Sequence, residues 1–250
     1  MPRKGSQELE STRKLTGLVL QACLVAKDAS YNLGDFIQNS SNMAFLAVRD
    51  CEKELDRMER QVDEEITGAI TQVNETQARE LLACLKFIID LERIGDLTWS
   101  VTQRLQKLGS KLQHDDAQDF KTMAEILENM LGSVHEGFVR RDLDSANWVL
   151  QNDLQIDQAC RSVFHRHLAM SDRRKREYST NLLLMAQAFE RAGDHAKNLG
   201  EELLHLVEGR SVRHEPKRVR AARKAVKPPS SARNSRPHPE VGETTQHSRN

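Results

Sequence analysis

Apolar positions recur three and four residues apart from the first patterned stretch of the chain. Leu15, Leu18, Val19, Ala22, Val25, Ala26 and Ala29 form one stripe, the spacing that places side chains on a single buried helix face. Asn39, Ser40, Ser41 and Asn42 close that helix. A second stripe of Leu55, Met58, Val62, Ile66, Ala69 and Val73 ends near Asn74, which pairs with Gln77 as a capping box for a third helix. The third runs to about Leu108 and stops at Gly109, a residue that ends helices readily. Asp115 and Gln118 open a fourth helix reaching Arg141, a fifth covers Asp144 to Ala169, and Ser171 caps a sixth that runs to Val207 and stops at Gly209. Short connections make sequential helices antiparallel neighbours. After Pro2 the next proline is Pro216, and so long a stretch without a helix breaker predicts an all-α fold.

The six helices fall into two sets of three. A shift of 98 places Cys84, Phe87, Leu91, Ile94, Thr98, Val101, Leu105 and Leu108 on Leu182, Met185, Phe189, Ala192, Ala196, Leu199, Leu203 and Leu206, a shared core stripe on the third helix of each set. The pattern predicts two tandem three-helix bundles, residues 12–110 and 114–209, followed by a segment of different composition at 210–250.

Charge sharpens that division. Residues 210–250 hold 11 Lys and Arg against 3 Asp and Glu, whereas residues 1–209 hold 26 against 34, so the net charge of zero joins an acidic body to a basic tail. The tail lacks periodicity and is read as disordered, either a solvated spacer or an electrostatic contact to nucleic acid, anionic lipid or an acidic partner. Cys23, Cys51, Cys84 and Cys160 show no paired spacing, which fits reduced core residues better than a zinc site. The first residues show no signal-peptide core, and the early uncharged run from Leu15 to Ala26 is too short for a bilayer. The expected location is the cytoplasm.

The chemistry lies in a repeated phrase. Glu92-Arg93-Ile94-Gly95-Asp96 returns as Glu190-Arg191-Ala192-Gly193-Asp194, and each acidic pair, four residues apart, shares a helix face. Leu81, Leu85, Ile88 and Trp99 lie on the same face as Glu92 and Asp96, so the carboxylates interrupt an apolar line. The preceding helix carries Glu52, Asp56, Glu59 and Asp63 along one stripe, and a shift of 101 places Asp153 and Asp157 at the matching start in the second set. Like charges four apart destabilise even an exposed helix by roughly 0.2–0.5 kcal/mol, and more once desolvated. Two readings follow. The pairs hold a hard cation such as Mg, Mn, Ca or Fe, or they form a solvated face balanced by Arg57, Arg60, Arg93 and Arg191. Gly95 and Gly193 each cost about 1 kcal/mol relative to Ala inside a helix, which points to close approach of a neighbouring helix.

LERIGDL at residues 91–97 and FERAGDHAKNLGEE at 189–202, each preceded by a helix bearing an acidic pair, resemble the PhoU family of phosphate-transport accessory proteins over about residues 12–208. The resemblance implies metal ions at the carboxylate clusters (Mg, Mn, Fe or Zn), a homodimer, and negative regulation of phosphate uptake and phosphate-starvation signalling. Its implied partners are the ATPase subunit of a phosphate ABC transporter and a sensor histidine kinase. The implied metal residues are Glu52, Asp56, Glu92 and Asp96 in the first set, and Asp153, Asp157, Glu190, Asp194, Asn198 and Glu201 in the second, with His195 beside them. Ser100 and Gln103 stand where the family carries Asn and Glu, which implies that the second cluster binds metal better.

Two other classes compete with this reading. A di-iron carboxylate oxidase or metal-storage bundle needs paired Glu-x-x-His motifs, and Glu202 with His205 is the lone helical instance in the body. His165 and His167 point to different helix sides and read as surface or satisfied core residues. Binding of nucleic acid through the tail would be nonspecific, since no aromatic residue is interleaved there for base stacking. With no phosphate loop or nucleophile motif, an enzyme is not expected.

Overall fold

The computed structural model describes residues 4–109, 112–168 and 176–208. Six helices occupy them: α1 (Lys4–Asn39), α2 (Asn42–Ile70), α3 (Glu75–Leu108), α4 (His114–Arg140), α5 (Leu143–Leu168) and α6 (Arg176–Glu208). The described residues contain no strand. The chain divides into a unit of residues 1–213 and one of 214–250; the basic tail, Ser171 and Gly209 lie outside the described residues, and so do the ends proposed from them.

Local chemistry explains most boundaries. Ser41 caps α2 by accepting the Ala44 amide at 3.3 Å. Asn74 and Gln77 exchange both bonds of the capping box at 3.0 and 3.1 Å, satisfying two amides that a helix start leaves unpaired. Gly109 closes α3 in the left-handed region at φ 59°. Elsewhere the boundaries depart from the local signal. Helix α1 begins at Lys4, well before the first apolar stripe, and α2 ends at Ile70, short of Val73. Asp115 lies inside α4, whose start has no side-chain cap; the Gln113 amide donates instead to the Tyr178 hydroxyl of α6 at 3.2 Å. At the α4–α5 turn Arg141 adopts φ 54°, and Asp142 accepts the Asp144 and Ser145 amides.

Within the first trio α1 packs on α2 and α3, and α2 on α3; α4, α5 and α6 repeat this arrangement. The trios also pack on each other through α1 against α4 and α3 against α6. One apolar cluster therefore runs through both, including Leu15, Phe87, Leu91 and Ile94 from the first and Phe120, Phe138, Phe189 and Leu199 from the second. Phe87 and Phe138 meet edge to face across the join, 4.9 Å between centroids. Burial of this continuous core is the dominant favourable term in folding. Polar ties fix the ends. His167, buried in α5, bridges the Asp116 carboxylate of α4 (3.0 Å) and the Ser179 hydroxyl of α6 (3.1 Å), while Arg166 reaches Asp116 and Asp119. His167 is thus a satisfied core residue and His165 an exposed one. All four cysteines are free; Cys23, Cys84 and Cys160 are buried, and burial pushes the Cys23 thiol up to about 12.

Both repeated glycines sit where helices approach closely. A Cβ at Gly95 would stand 2.6 Å from Leu55 Cδ1 of α2, and one at Gly193 would stand 3.1 Å from Ile156 Cδ1 of α5. Leu55 and Ile156 are counterparts under the 101-residue shift, so one close approach is built twice. Gly95→Ala is expected to destabilise the protein by about 1–2 kcal/mol, because the clash with fully buried Leu55 outweighs the gain of about 1 kcal/mol in helix propensity. Gly193→Ala should stay within about 0.5 kcal/mol of wild type, the looser contact cancelling the same gain. Urea denaturation of the two variants checks both.

Candidate metal centre

The close packing at Gly95 turns one face of α3 towards α2. Trp99 stacks obliquely on Phe45 at 5.1 Å, and the carboxylates of the same face meet those of α2. Oxygens of Glu52, Asp56 and Asp96 all lie within 4.8 Å of one another. Two oxygens bound to one hard cation lie at most about 4–5 Å apart, twice the ordinary metal–oxygen distance. The three half-buried side chains already fall within that limit, with α2 supplying two ligands one turn apart and α3 the third.

Glu92 feels the charges of Asp96, Glu59 and Asp56 but lies outside the convergent set of three. It is buried, with 8 % of its surface exposed, and its Oε2 accepts no hydrogen bond. Arg93 Nε approaches that oxygen to 3.4 Å without hydrogen-bond geometry, while its Nη1 donates to Asp96 Oδ2 at 3.2 Å. Desolvation first, then the charges of Asp96 and Glu59, push the Glu92 carboxyl up to about 7 despite Arg93. Glu52 is raised for the same reasons, by burial and by Asp56 and Asp96; Glu59 is raised by burial and by Asp63. A buried carboxylate oxygen without a partner costs about 1–3 kcal/mol or more, and a cation beside it removes that cost. The donor set therefore fits a hard metal ion. Of the other candidate counter-ions, Arg57 is engaged by Glu54 and Gln61, which leaves Arg93 as the arginine paired within this cluster.

The second trio arranges its residues otherwise. Asp153 is buried and accepts from Lys197 Nζ at 2.7 Å, and the same ammonium lies 3.9 Å from Asp194. Asp157 is half-buried, whereas Glu190 and Asp194 are exposed. Asn198 turns away from the cluster, donating to Asp90 of α3 at 3.4 Å, and His195 meets Asp90 at 2.7 Å. Glu201 is half-buried beside Lys197, whose charge it helps to hold. Among the described residues, Glu52, Asp56 and Asp96 form the one group of three convergent ligands. The expectation that the second cluster is the stronger binder is not what this geometry favours. Helix spacing identified which residues share a face but carried no information on where the Lys197 ammonium reaches.

Asp90 and Lys86, at the α3–α6 join, carry no signal in the sequence that marks them. Asp90 is held by His195 and Asn198, and Lys86 donates to both oxygens of buried Glu202 at 3.0 Å. These partners are more than a hundred residues apart, and no local pattern links them. Glu202 also lies 3.5 Å from His205, so the lone Glu-x-x-His motif is committed to this join and not to the acidic cluster.

Tandem three-helix units with an acid-bearing glycine contact between the second and third helices define a class of all-α proteins that present carboxylates from paired helices. The family model described as the PhoU domain matches residues 30–105 and 120–203; this chain belongs to the PhoU family. It is 29% identical over 212 residues to a phosphate-specific transport system accessory protein PhoU homolog of Pseudomonas putida, covering 83% of this chain and 82% of that one. A homolog of the same name from Rhizobium meliloti (strain 1021) is 32% identical over 160 residues, 62% of this chain and 68% of that one. The crystal structure of PhoU from Pseudomonas aeruginosa superposes with a TM-score of 0.67 at 26% identity, covering 83% of this chain and 98% of that one.

The raised Glu92 carboxyl sets a pH dependence. Its folded-state value of about 7 lies above the ordinary 4.5, so the native state binds the extra proton and stability is lost as pH rises through that interval. In chelator, wild type should lose stability between about pH 5 and 7.5, and Glu92→Gln should flatten that slope and raise the melting temperature at pH 7.5 by about 2–5 °C. Thermal denaturation across that range checks both effects.

Proposed function

We propose that this chain is a phosphate-specific transport system accessory protein, a non-catalytic cytoplasmic adaptor that restrains phosphate uptake and phosphate-starvation signalling. It does so between the ATPase subunit of a phosphate ABC transporter and a phosphate-responsive sensor histidine kinase, and it works as a homodimer. The observation that carries this reading is the family match across both trios, at the helices that hold the acidic clusters. Among the described residues no helix is long and apolar enough to cross a membrane, which suits a protein that reaches a transporter from one side.

Glu52, Asp56 and Asp96 would hold a divalent or trivalent ion, Mg, Mn, Fe or Zn, with Glu92 behind them. When bound, the ion supplies positive charge that relieves repulsion between α2 and α3. Arg93 lies half-exposed beside the cluster and can leave it for solvent. Binding then locks two helices whose facing charges otherwise oppose their packing, a fixed surface for a partner to read.

The adaptor role and the metal site are tested separately. Affinity purification from phosphate-replete cells followed by mass spectrometry should recover transporter or kinase subunits, and deletion of the gene should derepress starvation genes in high phosphate; failure of both removes the adaptor role. A cation that binds the folded form raises stability by about 2.7 kcal/mol at a hundredfold excess over Kd. Chelation should therefore lower the melting temperature, and Glu52→Gln with Asp96→Asn should abolish that response. Calorimetry showing no binding of Mg, Mn, Fe or Zn would leave a solvated acidic face.

A further inference from the structure

We propose that the acidic cluster of the second trio is closed by the ammonium of Lys197 in the place a metal would take, so that the protein has one metal centre and one built-in cation. The inference rests on the metal reading of the first cluster and concerns what stands at its counterpart. The two clusters occupy equivalent frames: Leu55 faces Gly95 as Ile156 faces Gly193, and under the repeat shifts Glu52 corresponds to Asp153, Asp56 to Asp157, Glu92 to Glu190 and Asp96 to Asp194. Within that shared frame three features differ.

The first is the cation. Lys197 corresponds to Trp99. Where Trp99 packs on Phe45, Lys197 reaches from α6 across to α5 and donates to Asp153 at 2.7 Å, with Asp194 3.9 Å away. Burial works against its charge, but the hydrogen bond to Asp153 and the charges of Asp153, Asp194 and Glu201 outweigh it and hold the ammonium above the ordinary lysine value. The second is the orphan. Buried Glu92, with its unpartnered oxygen, corresponds to exposed Glu190, so among the described residues the second cluster has no buried carboxylate oxygen left without a hydrogen-bond partner to drive capture of an ion. The third is convergence. Asp153, the most buried carboxylate here with 5% of its side chain exposed, is already paired, and no three carboxylates of this trio converge among the described residues.

A metal entering beside Asp153 would have to expel Lys197 or sit against its positive charge. An ammonium of fixed position offsets the same repulsion permanently, whatever the metal supply. The first cluster then responds to metal while the second acts as a constant clamp between α5 and α6.

The test combines a metal-free stability cycle with Mn²⁺ titration of the full chain. In chelator, Lys197→Met should lower the melting temperature by about 5 °C or more, since it leaves Asp153 buried and unpaired. Adding Asp153→Asn to that variant should recover at least half of the loss. In Mn²⁺ titrations followed by calorimetry, Asp153→Asn with Asp194→Asn should leave the amount bound per chain unchanged, while Glu52→Gln with Asp96→Asn removes it. An unchanged melting temperature for Lys197→Met in chelator, or loss of about half the bound Mn²⁺ from Asp153→Asn with Asp194→Asn, overturns the inference. If wild type binds no Mn²⁺ while the stability cycle holds, the metal reading of the first cluster falls and the Lys197 clamp stands.

Discussion

Repulsion between carboxylates on facing helices is the constraint around which this protein is built. Gly95 lets α3 approach Leu55 more closely than a side chain would allow, and Gly193 gives α6 a tight contact with Ile156; that closeness brings acidic faces together. The same residues that permit tight apolar packing thus create an electrostatic penalty, concentrated at Glu92, whose buried oxygen has no hydrogen-bond partner. Helix packing alone does not relieve it. A positive charge does, and the two trios differ in where that charge comes from. Arg93 contributes partially from the rim of the first cluster, while Lys197 reaches directly onto Asp153 in the second.

The trios are joined through a core that does not pause between them. Phe87 and Phe138 meet across the boundary, and α3 lies along α6 with Lys86–Glu202 and Asp90–His195 as polar ties. Such pairs add little stability relative to apolar packing, but they fix which residues face each other. Asp90 connects to the second trio's acidic helix through His195 and Asn198. A change of position in one trio therefore has a physical route to the other through α3 and α6, which carry the glycine motif of each.

Much of this was legible in the chain. Period-3.6 stripes, the lack of proline between Pro2 and Pro216 and the Asn74–Gln77 box located the helices, because each is a local signal, although α1 begins eleven residues ahead of its stripe. The repeated glycine motif located the close approach, and i, i+4 spacing located the acidic faces. Less legible were the helix ends set by distant contacts, such as Gln113 donating to Tyr178. Also hidden was the difference between clusters with nearly the same letters. Glu92 and Glu190 occupy the same motif position, yet one is buried and the other exposed. Lys197 lies three residues beyond Asp194 in plain view, but its role depends on a 2.7 Å contact to a residue 44 positions away. Motif matching ranked the second cluster as the better binder, from Asn198 and Glu201 against Ser100 and Gln103; the packed side chains favour the first.

Anomalous diffraction from crystals grown with Mn²⁺ is the most direct test of a single metal centre. The account predicts an anomalous peak among Glu52, Asp56 and Asp96, coordinated by their carboxylates, with Lys197 still on Asp153 and no peak beside it. A peak at Asp153 and Asp194 with Lys197 displaced, or no peak at the first cluster at saturating Mn²⁺, would contradict it.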